Sequence, residues 1–209
     1  MELKISSYNC RGLPKDSKKM HLRQDICEVF NRSHVVALQE TWYAKQNLEA
    51  LNTLHKDYVG VGVATVDETQ NLYQGHYPGG VAIFWRKELS RFIKKLEFNT
   101  NWGVAIEISV GSSNFTLLNI YMPYQHAQNK ERYFENLWTI NAFVETIQNT
   151  SFMIIGDWNA NLSDNGNSLF RNMMLDFCCE NNLLISSKSL LPPNSYSFVS
   201  YREDNMVKS

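Results

Sequence analysis

The stretch "SFMIIGDWNANL", residues 151–162, joins a strand-like segment to a group of polar side chains. Residues 152–155 form a short apolar run of the kind that fills a buried strand. The run breaks at Gly156 and is followed by Asp157 and Asn159, a carboxylate and a carboxamide two positions apart. Polar groups in this place either cap a turn or form a site at the end of the strand.

The composition is that of a globular chain without an extended basic segment. The 209 residues are 44% hydrophobic, which is enough to build a sizeable core, and we expect one domain over residues 1–209. The net charge of −1 excludes a nucleic-acid binder that works through a strongly basic tail. A local basic patch is still open, because phosphate contacts depend on where the charges lie and not on their sum.

Cysteine usage and the N-terminal sequence indicate an intracellular protein. The four cysteines show no CxxC spacing, which favours a reducing compartment. The opening "MELKISSYNC" lacks the apolar region of a signal peptide, and no apolar run approaches the roughly 20 residues that span a bilayer. We therefore expect a protein of the nucleus or cytoplasm, without membrane contact. We also expect a monomer.

Short apolar runs alternate with amphipathic segments along the chain. The predicted strands are residues 3–8, 35–39, 58–63, 79–85, 103–110, 115–122 and 152–155, and the predicted helices are residues 17–30, 130–148 and 169–180. The consecutive strands in the middle can pair as hairpins. This order favours a mixed sheet, or two packed sheets with helices outside, over a purely parallel sheet.

Polar side chains stand at the ends of four of the predicted strands. These are Asn9, Glu40, Tyr121 (with Asn119 two residues earlier on the same side) and Asp157. Each alone is an ordinary turn, cap or surface residue. Together they suggest one site, because ligands gather at the carboxyl ends of strands in sheets covered by helices. One carboxylate could help to hold a hard cation such as Mg²⁺ while another orients or deprotonates a water, which favours a phosphoester hydrolase.

At these residues the sequence resembles a known family. The segments "SYNCRGL", "VALQETW", "GGVAIFW", "NIYMP" and "IIGDWNANL", in this order and spacing, resemble the endonuclease/exonuclease/phosphatase family. The likeness covers essentially the whole chain and is strongest to the apurinic-endonuclease-like domain of non-LTR (LINE-type) retrotransposon polyproteins. The resemblance implies a four-layered α-β-β-α sandwich of the DNase type with a divalent-metal site at one end.

The resemblance also implies roles for single residues. Glu40 matches the metal-ligand glutamate, and Asn9 matches its neighbour in the metal shell. Asp157 matches the aspartate that activates or orients water, and Asn159 matches the asparagine that holds the scissile phosphate. The implied metal is Mg²⁺, with Mn²⁺ as a substitute.

Three further positions concern the substrate. Arg11 and Asn119 are expected to bind it, and Tyr121 falls at a position that discriminates between branches of the family. Apurinic and retroelement nucleases have a tyrosine there, so Tyr121 favours DNA over a lipid or inositol phosphate. The implied activity is DNA nicking that frees a 3′-hydroxyl for target-primed reverse transcription, with a reverse transcriptase domain downstream in the parent polyprotein.

One departure from the family pattern opens an alternative. The family's sequence continues into a strand with an Ile-Asp pair and a final Ser-Asp-His, and none of the five histidines here lies in such a context. We therefore expect a C-terminally truncated domain. The alternative function is an inactive remnant that at most binds nucleic acid or a partner.

Overall fold

Two four-stranded mixed sheets form the framework of the described part of this computed structural model. The structure describes residues 2–67, 77–111, 113–147, 151–162, 168–186, 199–202 and 205–208. The chain forms two compact units, Met1–Met122 with Ile147–Trp158, and Pro123–Thr146 with Asn159–Ser209. The single domain over residues 1–209 stays a prediction.

The first sheet contains a parallel pair of strands at one edge. Its strands are β1 (Ile5–Asn9), β2 (Val35–Gln39), β3 (Tyr58–Val63) and β4 (Val81–Arg86), in the spatial order β1-β2-β4-β3. β1 and β2 are parallel, and the crossover between them contains the helix α1 (Gln24–Arg32). The register sets Asn9 opposite Gln39, so both carboxyl ends lie at the same edge.

The second sheet repeats this arrangement with different connections. Its strands are β5 (Ile93–Leu96), β6 (Gly103–Val110), β7 (Ser113–Tyr121) and β8 (Ser151–Asp157), in sequence order. β5, β6 and β7 form antiparallel hairpins, whereas β7 and β8 are parallel. The register of this parallel pair sets Tyr121 opposite Asp157. The prediction of mixed, not purely parallel, sheets is confirmed.

The central strand β2 is buried on both faces. Val35 packs in one apolar cluster with Val104 of β6, which joins the two sheets. Val36 and Leu38 pack in another with Phe30 of α1, which covers the outer face of the first sheet. Each such buried side chain contributes about 1.5–3 kcal/mol relative to an exposed one. Burial on both sides explains why "VVAL" is a continuous apolar run and not an alternating one.

The helix predicted over residues 17–30 is wrong as a single element. The structure has a 3₁₀ helix over Ser17–Leu22 and then α1, with a break at Arg23. The Arg23 guanidinium donates to carbonyl oxygens of the loop after β1. A contact so distant in sequence gives no periodic signal, because apolar spacing reports only which face of a segment is buried.

The sequence pattern does not predict β5 or the 3₁₀ helices over Lys45–Thr53 and Lys87–Phe92. β5 reads "IKKL", with both lysines exposed, and it lies at the edge of the second sheet. Lysines on a short edge strand disfavour pairing with the strands of other chains. They also interrupt the apolar pattern by which a strand is predicted.

The second unit contains two α-helices, a short 3₁₀ helix and a pair of antiparallel strands among its described residues. The α-helices and strands are α2 (Lys130–Thr146), α3 (Leu169–Glu180) and the antiparallel pair β9 (Val199–Arg202) and β10 (Asn205–Lys208). α2 packs on α3 with the Tyr133 and Phe170 rings 4.5 Å apart. Neither these helices nor any other described helix is long and apolar enough to cross a membrane.

Candidate active site

Asn9, Glu40 and Asp157 form one polar cluster in the first unit. The Asn9 Nδ2 donates to Glu40 Oε1 at 2.7 Å and to Asp157 Oδ2 at 2.9 Å. Because both carboxylate oxygens lie within hydrogen-bonding distance of the same nitrogen atom, the two carboxyl groups are close neighbours. The Tyr121 hydroxyl donates to the same Glu40 oxygen at 3.3 Å. The predicted proximity of Glu40 and Asp157, with Asn9 beside them, is confirmed.

The two parallel strand pairs bring these residues together. β1 and β2 end side by side in the first sheet, and β7 and β8 end side by side in the second. The end of β8 is tied to the chain after β7 by the Met122 N–H, which donates to the Asp157 carbonyl at 2.8 Å. Gly156 makes this approach possible at a φ of 128°, since a Cβ there would overlap the Ile120 carbonyl oxygen.

The loop after β2 holds Glu40 in an unusual backbone conformation. Glu40 and Trp42 have φ values of 54° and 56°, in the left-handed region that non-glycine residues rarely adopt. Each such residue costs on the order of 1–3 kcal/mol and persists only when its surroundings hold it. Here the Glu40 carbonyl accepts from Gly12 N–H at 2.7 Å, and the Trp42 N–H donates to the Gly79 carbonyl at 3.1 Å.

Cys10 joins the loop after β1 to the end of β2. Its N–H and its thiol both donate to the Gln39 carbonyl, at 2.9 and 3.2 Å, and the thiol also lies 3.5 Å from the Glu40 carbonyl. Burial raises the pKa of Cys10 to about 12, so the thiol keeps its proton and remains a donor at neutral pH. Cys10 thus positions the backbone of Glu40.

Arg23 fixes the loop after β1 from the other side. Its guanidinium donates to the carbonyl oxygens of Cys10, at 2.6 Å, and of Gly12. It also forms a 2.8 Å ion pair with Asp25, which accepts a further 2.8 Å hydrogen bond from the Tyr8 hydroxyl. The adjacent guanidinium holds the pKa of the Asp25 carboxyl at about 2. These contacts hold the loop that follows Asn9.

Comparison of the sequence with known protein families identifies the family. The sequence matches the Endonuclease/Exonuclease/phosphatase family over residues 6–205. The chain belongs to this family. The predicted resemblance is confirmed, and Asn9, Glu40, Tyr121 and Asp157 lie in four of the segments that suggested it. No curated protein sequence matches the chain significantly.

Solved structures of other proteins share the fold. The endonuclease domain of TRAS1, a telomere-specific non-LTR retrotransposon, is similar with a TM-score of 0.69 and 14% identity, over 100% of this chain and 82% of that one. The AP endonuclease LMAP from Leishmania major has a TM-score of 0.74 and 16% identity, over 95% and 73%. An AP endonuclease from Archaeoglobus fulgidus has a TM-score of 0.64 and 12% identity, over 98% and 80%. At these identities the likeness shows the fold alone, and it confirms the predicted α/β sandwich.

Asn119 lies behind the cluster and joins the two sheets. In this family member its Nδ2 donates to the carbonyl oxygens of Leu38 and Ala82, both at 3.0 Å, across from β7 to the first sheet. Its Oδ1 accepts from Gln39 Nε2 at 2.7 Å. Asn119 is fully buried. This placement changes its expected role from substrate contact to positioning residue, because no face of the amide reaches solvent.

The other expected site residues are placed as follows. Arg11 is exposed on the loop after β1, with a φ of 46°, and its N–H donates to Asn9 Oδ1 at 3.3 Å. Asn159 belongs to the second unit and has a φ of 49°. Its contact with the scissile phosphate stays a prediction.

Three of the described histidines contact groups outside the polar cluster. His34 Nδ1 accepts from the Lys4 N–H, His55 stacks on Phe30, and His126 caps a short 3₁₀ helix with its Nδ1. His21 is an exposed residue of the 3₁₀ helix before α1. His126 is exposed, as its sequence context predicts. His76 lies outside the described residues.

The donor set of the cluster fits a hard divalent cation. In the described part of the chain no three His, Cys, Asp or Glu side chains are grouped so that they could hold a metal. A cation such as Mg²⁺ does not need three, since it usually takes one or two carboxylates and completes its shell with waters and substrate oxygens. Glu40 and Asp157 supply two carboxylates, and Asn9 supplies an amide within hydrogen-bonding distance of both.

Sequence reasoning does not find three of the supporting residues. Gln39, Cys10 and Arg23 position the site. Gln39 and Arg23 lie in segments that look like ordinary strand and helix, and Cys10 lies in the turn after the first strand, where no pattern marks its role. One signal was present for Gln39, because a polar side chain ends an otherwise apolar buried strand and therefore needs a buried partner.

Proposed function

We propose that this protein is the metal-dependent DNA endonuclease domain of a retroelement, which nicks one strand so that the freed 3′-hydroxyl primes reverse transcription. The observation that carries the proposal is the pair of carboxylates, Glu40 and Asp157, held on one Asn9 amide at the ends of two parallel strand pairs. Membership of the family supports the hydrolytic chemistry.

Each residue of the cluster has a role in hydrolysis. Glu40 and Asn9 would hold a Mg²⁺ or Mn²⁺ ion, which would supply positive charge to the phosphoryl oxygens. Asp157 orients a water and accepts its proton. Tyr121 fixes the Glu40 carboxylate through its hydroxyl, so that the ligand does not have to reorganise. Asn159 is not part of this cluster, and its proposed role, holding the scissile phosphate, is the one that the family resemblance implies.

DNA is the substrate that the cluster and the relatives favour. Tyr121 occupies the position at which apurinic and retroelement nucleases both have a tyrosine. Arg11 is an exposed cation next to Asn9 that can contact a phosphate. The similar solved structures include AP endonucleases and a retrotransposon endonuclease domain. We further propose a monomer that acts in the nucleus or cytoplasm beside a reverse transcriptase domain of the parent polyprotein.

A second candidate is an inactive domain that only binds nucleic acid or a partner. The 209 residues contain no Ser-Asp-His, and the hydrogen bonds of His34 and His126 are to the backbone N–H groups of Lys4 and Gln128, outside the cluster. A preorganised donor on the transition-state oxyanion contributes on the order of 10²–10³ in rate. If no other side chain supplies this donor, the 209 residues alone are expected to nick slowly.

Nicking of supercoiled plasmid in Mg²⁺ tests the proposal. The chain, its Glu40→Gln and Asp157→Asn variants, and Glu49→Gln as an exposed carboxylate control are compared, together with a version extended through a Ser-Asp-His. We expect slow nicking by the chain and nicking about 10²–10³-fold faster by the extended version. Both activities should be lost in the Glu40 and Asp157 variants and in EDTA.

The same assay distinguishes the two candidates. Nicking that survives both Glu40→Gln and Asp157→Asn would place the activity elsewhere and contradict the proposal. The absence of nicking from the extended version as well as from the chain would establish the inactive alternative.

A further inference from the structure

The helix α2 carries two apolar stripes, and only one of them is buried. The first stripe consists of side chains at helical spacing, all of them buried: Tyr133, Leu137, Ile140 and Phe143. The second stripe contains Phe134 and Trp138, which are 52% and 64% exposed. Because the first stripe already supplies the buried face that an amphipathic helix needs, the two exposed rings are not required to hold α2 in the fold.

The exposed rings form one continuous patch. Phe134 and Trp138 lie one helical turn apart, and their ring centroids are 6.0 Å apart in an edge arrangement. Ala142, which is also exposed, extends the stripe by another turn, to a length of about 12 Å at a rise of about 1.5 Å per residue. Single exposed apolar side chains are ordinary, whereas adjacent large aromatic rings are typical of interfaces. Phe134, Trp138 and Ala142 are called the aromatic patch below.

The surroundings of the aromatic patch are acidic. Three exposed glutamates of α2 border it: Glu131, Glu135 and Glu145. At about 100° per residue, each of them lies within about 60° of Trp138 around the helix axis. Of the two basic residues of α2, Lys130 lies beside the patch at its first turn, and Arg132 lies about 120° away from Trp138. Three carboxylates and one ammonium group give this face a net charge of −2.

The charge of this face decides which kind of partner fits it. Among the described residues, none of the three glutamates forms an ion pair. Nucleic acid and anionic lipid are repelled by such a face. A second copy of the chain in a symmetric contact would bring these glutamates against their own counterparts, which is also unfavourable. A segment that is both basic and apolar complements the carboxylates and the rings at once.

We propose that this face of α2 binds a basic amphipathic helix of a partner protein. The Phe134 and Trp138 rings pack between the apolar side chains of that helix, and Glu131, Glu135 and Glu145 pair with its lysines or arginines. Apolar anchors at helical spacing, flanked by charges, are the usual features of helix recognition. The inference goes beyond the proposed function and does not depend on it, since α2 contains none of the proposed catalytic residues.

A synthetic peptide of about 18 residues, five helical turns long, is the probe for this face. It has leucine at the i, i+3, i+4 and i+7 positions and lysine on both flanks. One companion peptide has glutamate in place of every lysine. The other has the same composition as the probe in an order without the helical period. We expect the chain to bind the probe with one peptide per chain and to bind both companions at least about tenfold more weakly.

Fluorescence anisotropy of the labelled probe measures the contribution of the rings. Phe134→Ala and Trp138→Ala should each weaken binding by more than about tenfold, because buried aromatic anchors carry most of the energy of an interface. Both side chains are exposed in the free chain, so the circular dichroism of the variants should match that of the wild type. Leu184→Ala, which removes a 92% exposed apolar side chain from the segment after α3, is the matched control and should bind like the wild type.

The glutamates have a different signature, because exposed charge pairs are screened by salt. The double variant Glu131→Gln, Glu135→Gln should bind the probe about 2- to 20-fold more weakly at about 50 mM salt, and the difference should fade at about 500 mM. Glu49→Gln, which neutralises an exposed carboxylate of the first unit, should bind like the wild type at both salt concentrations.

Acrylamide quenching of tryptophan fluorescence shows directly whether the ring is covered. In the free chain, the wild type should be quenched more than Trp138→Phe, because Trp138 is exposed. The probe contains no tryptophan, and at saturation it should remove this difference. A ring of Trp138 that acrylamide cannot reach in the free chain would overturn the inference.

Other results would also overturn it. These are equal affinity for the probe and for either companion peptide, and unchanged affinity in Trp138→Ala. Sedimentation that shows a dimer of the free chain, lost in Trp138→Ala, would assign the aromatic patch to a second copy and contradict a separate partner. Binding of a labelled DNA single strand that is lost in Trp138→Ala would assign the patch to nucleic acid, with the same consequence.

Discussion

Replacing Asn119 with alanine removes the buried amide that joins the two sheets behind the polar cluster. In the native chain the amide donates to the Leu38 and Ala82 carbonyl oxygens at 3.0 Å and accepts from Gln39 at 2.7 Å. The alanine variant leaves all three groups without this partner. It also leaves a small cavity between β7 and the first sheet.

The size of the effect follows from these contacts. Gln39 Nε2 keeps a second acceptor, the Ser7 hydroxyl at 3.1 Å, so most of the cost falls on the two carbonyl groups. A buried polar group without a partner costs about 1–3 kcal/mol. With the cavity, we expect the free energy of unfolding of Asn119→Ala to fall by about 3–5 kcal/mol.

Urea unfolding followed by circular dichroism measures this change. Asn114→Ala is the matched control, because Asn114 is an exposed asparagine on the same strand, and its free energy of unfolding should change by less than about 0.5 kcal/mol. A loss in Asn119→Ala no larger than that of the control would refute the assignment of Asn119 as the joint between the sheets.

Three further predictions concern the backbone, the thiols and the ion pair of the first unit. Gly156→Ala should lower the free energy of unfolding in urea by more than about 1 kcal/mol, because the residue has a φ of 128° and lies against the neighbouring strand; an unchanged value would contradict the close approach. Iodoacetamide at pH 7.5 should modify the exposed Cys179 and spare Cys10, whose pKa is raised to about 12 by burial, and mass spectrometry of peptides decides this. The carboxyl of Asp25 has its pKa lowered from 3.8 to about 2, so its stabilising contribution is present above pH 4 and is lost as the pH falls towards 2. The difference in urea midpoint between the wild type and Asp25→Asn should therefore shrink over that interval, modestly because 40% of the side chain is exposed, and a constant difference would argue against it.

The strand framework was predictable because its signals are local. The apolar runs ending before Glu40 and Asp157 mark β2 and β8, and the rule that sites form at the carboxyl ends of strands then brings the two residues together. The rule works here because each sheet contains one parallel pair, β1 with β2 and β7 with β8. A sheet made only of hairpins would have sent neighbouring ends to opposite edges.

The supporting contacts were not predictable because they join residues far apart in sequence. Arg23 breaks the expected helix in order to bind the backbone of residues 10–12, and no periodic pattern reports a side-chain contact of that kind. Asn119 looks like a site residue by its place on β7, yet it faces the interior and holds the first sheet. The sequence also does not predict the left-handed backbone of Glu40, because glycine, and not glutamate, is the residue that indicates this conformation.

Titration with Mn²⁺, followed by the electron paramagnetic resonance signal of the free ion, asks whether Asn9, Glu40 and Asp157 form a divalent-metal centre. We expect one Mn²⁺ site per chain that Mg²⁺ competes for. Since loss of even an indirect partner of a metal ligand typically costs 10–100-fold in affinity, Glu40→Gln should weaken the site more than about tenfold. Glu49→Gln, which neutralises an exposed carboxylate of the 3₁₀ helix Lys45–Thr53, should leave it unchanged. Equal Mn²⁺ affinity in the wild type and in Glu40→Gln would contradict the assignment of this cluster as the metal site.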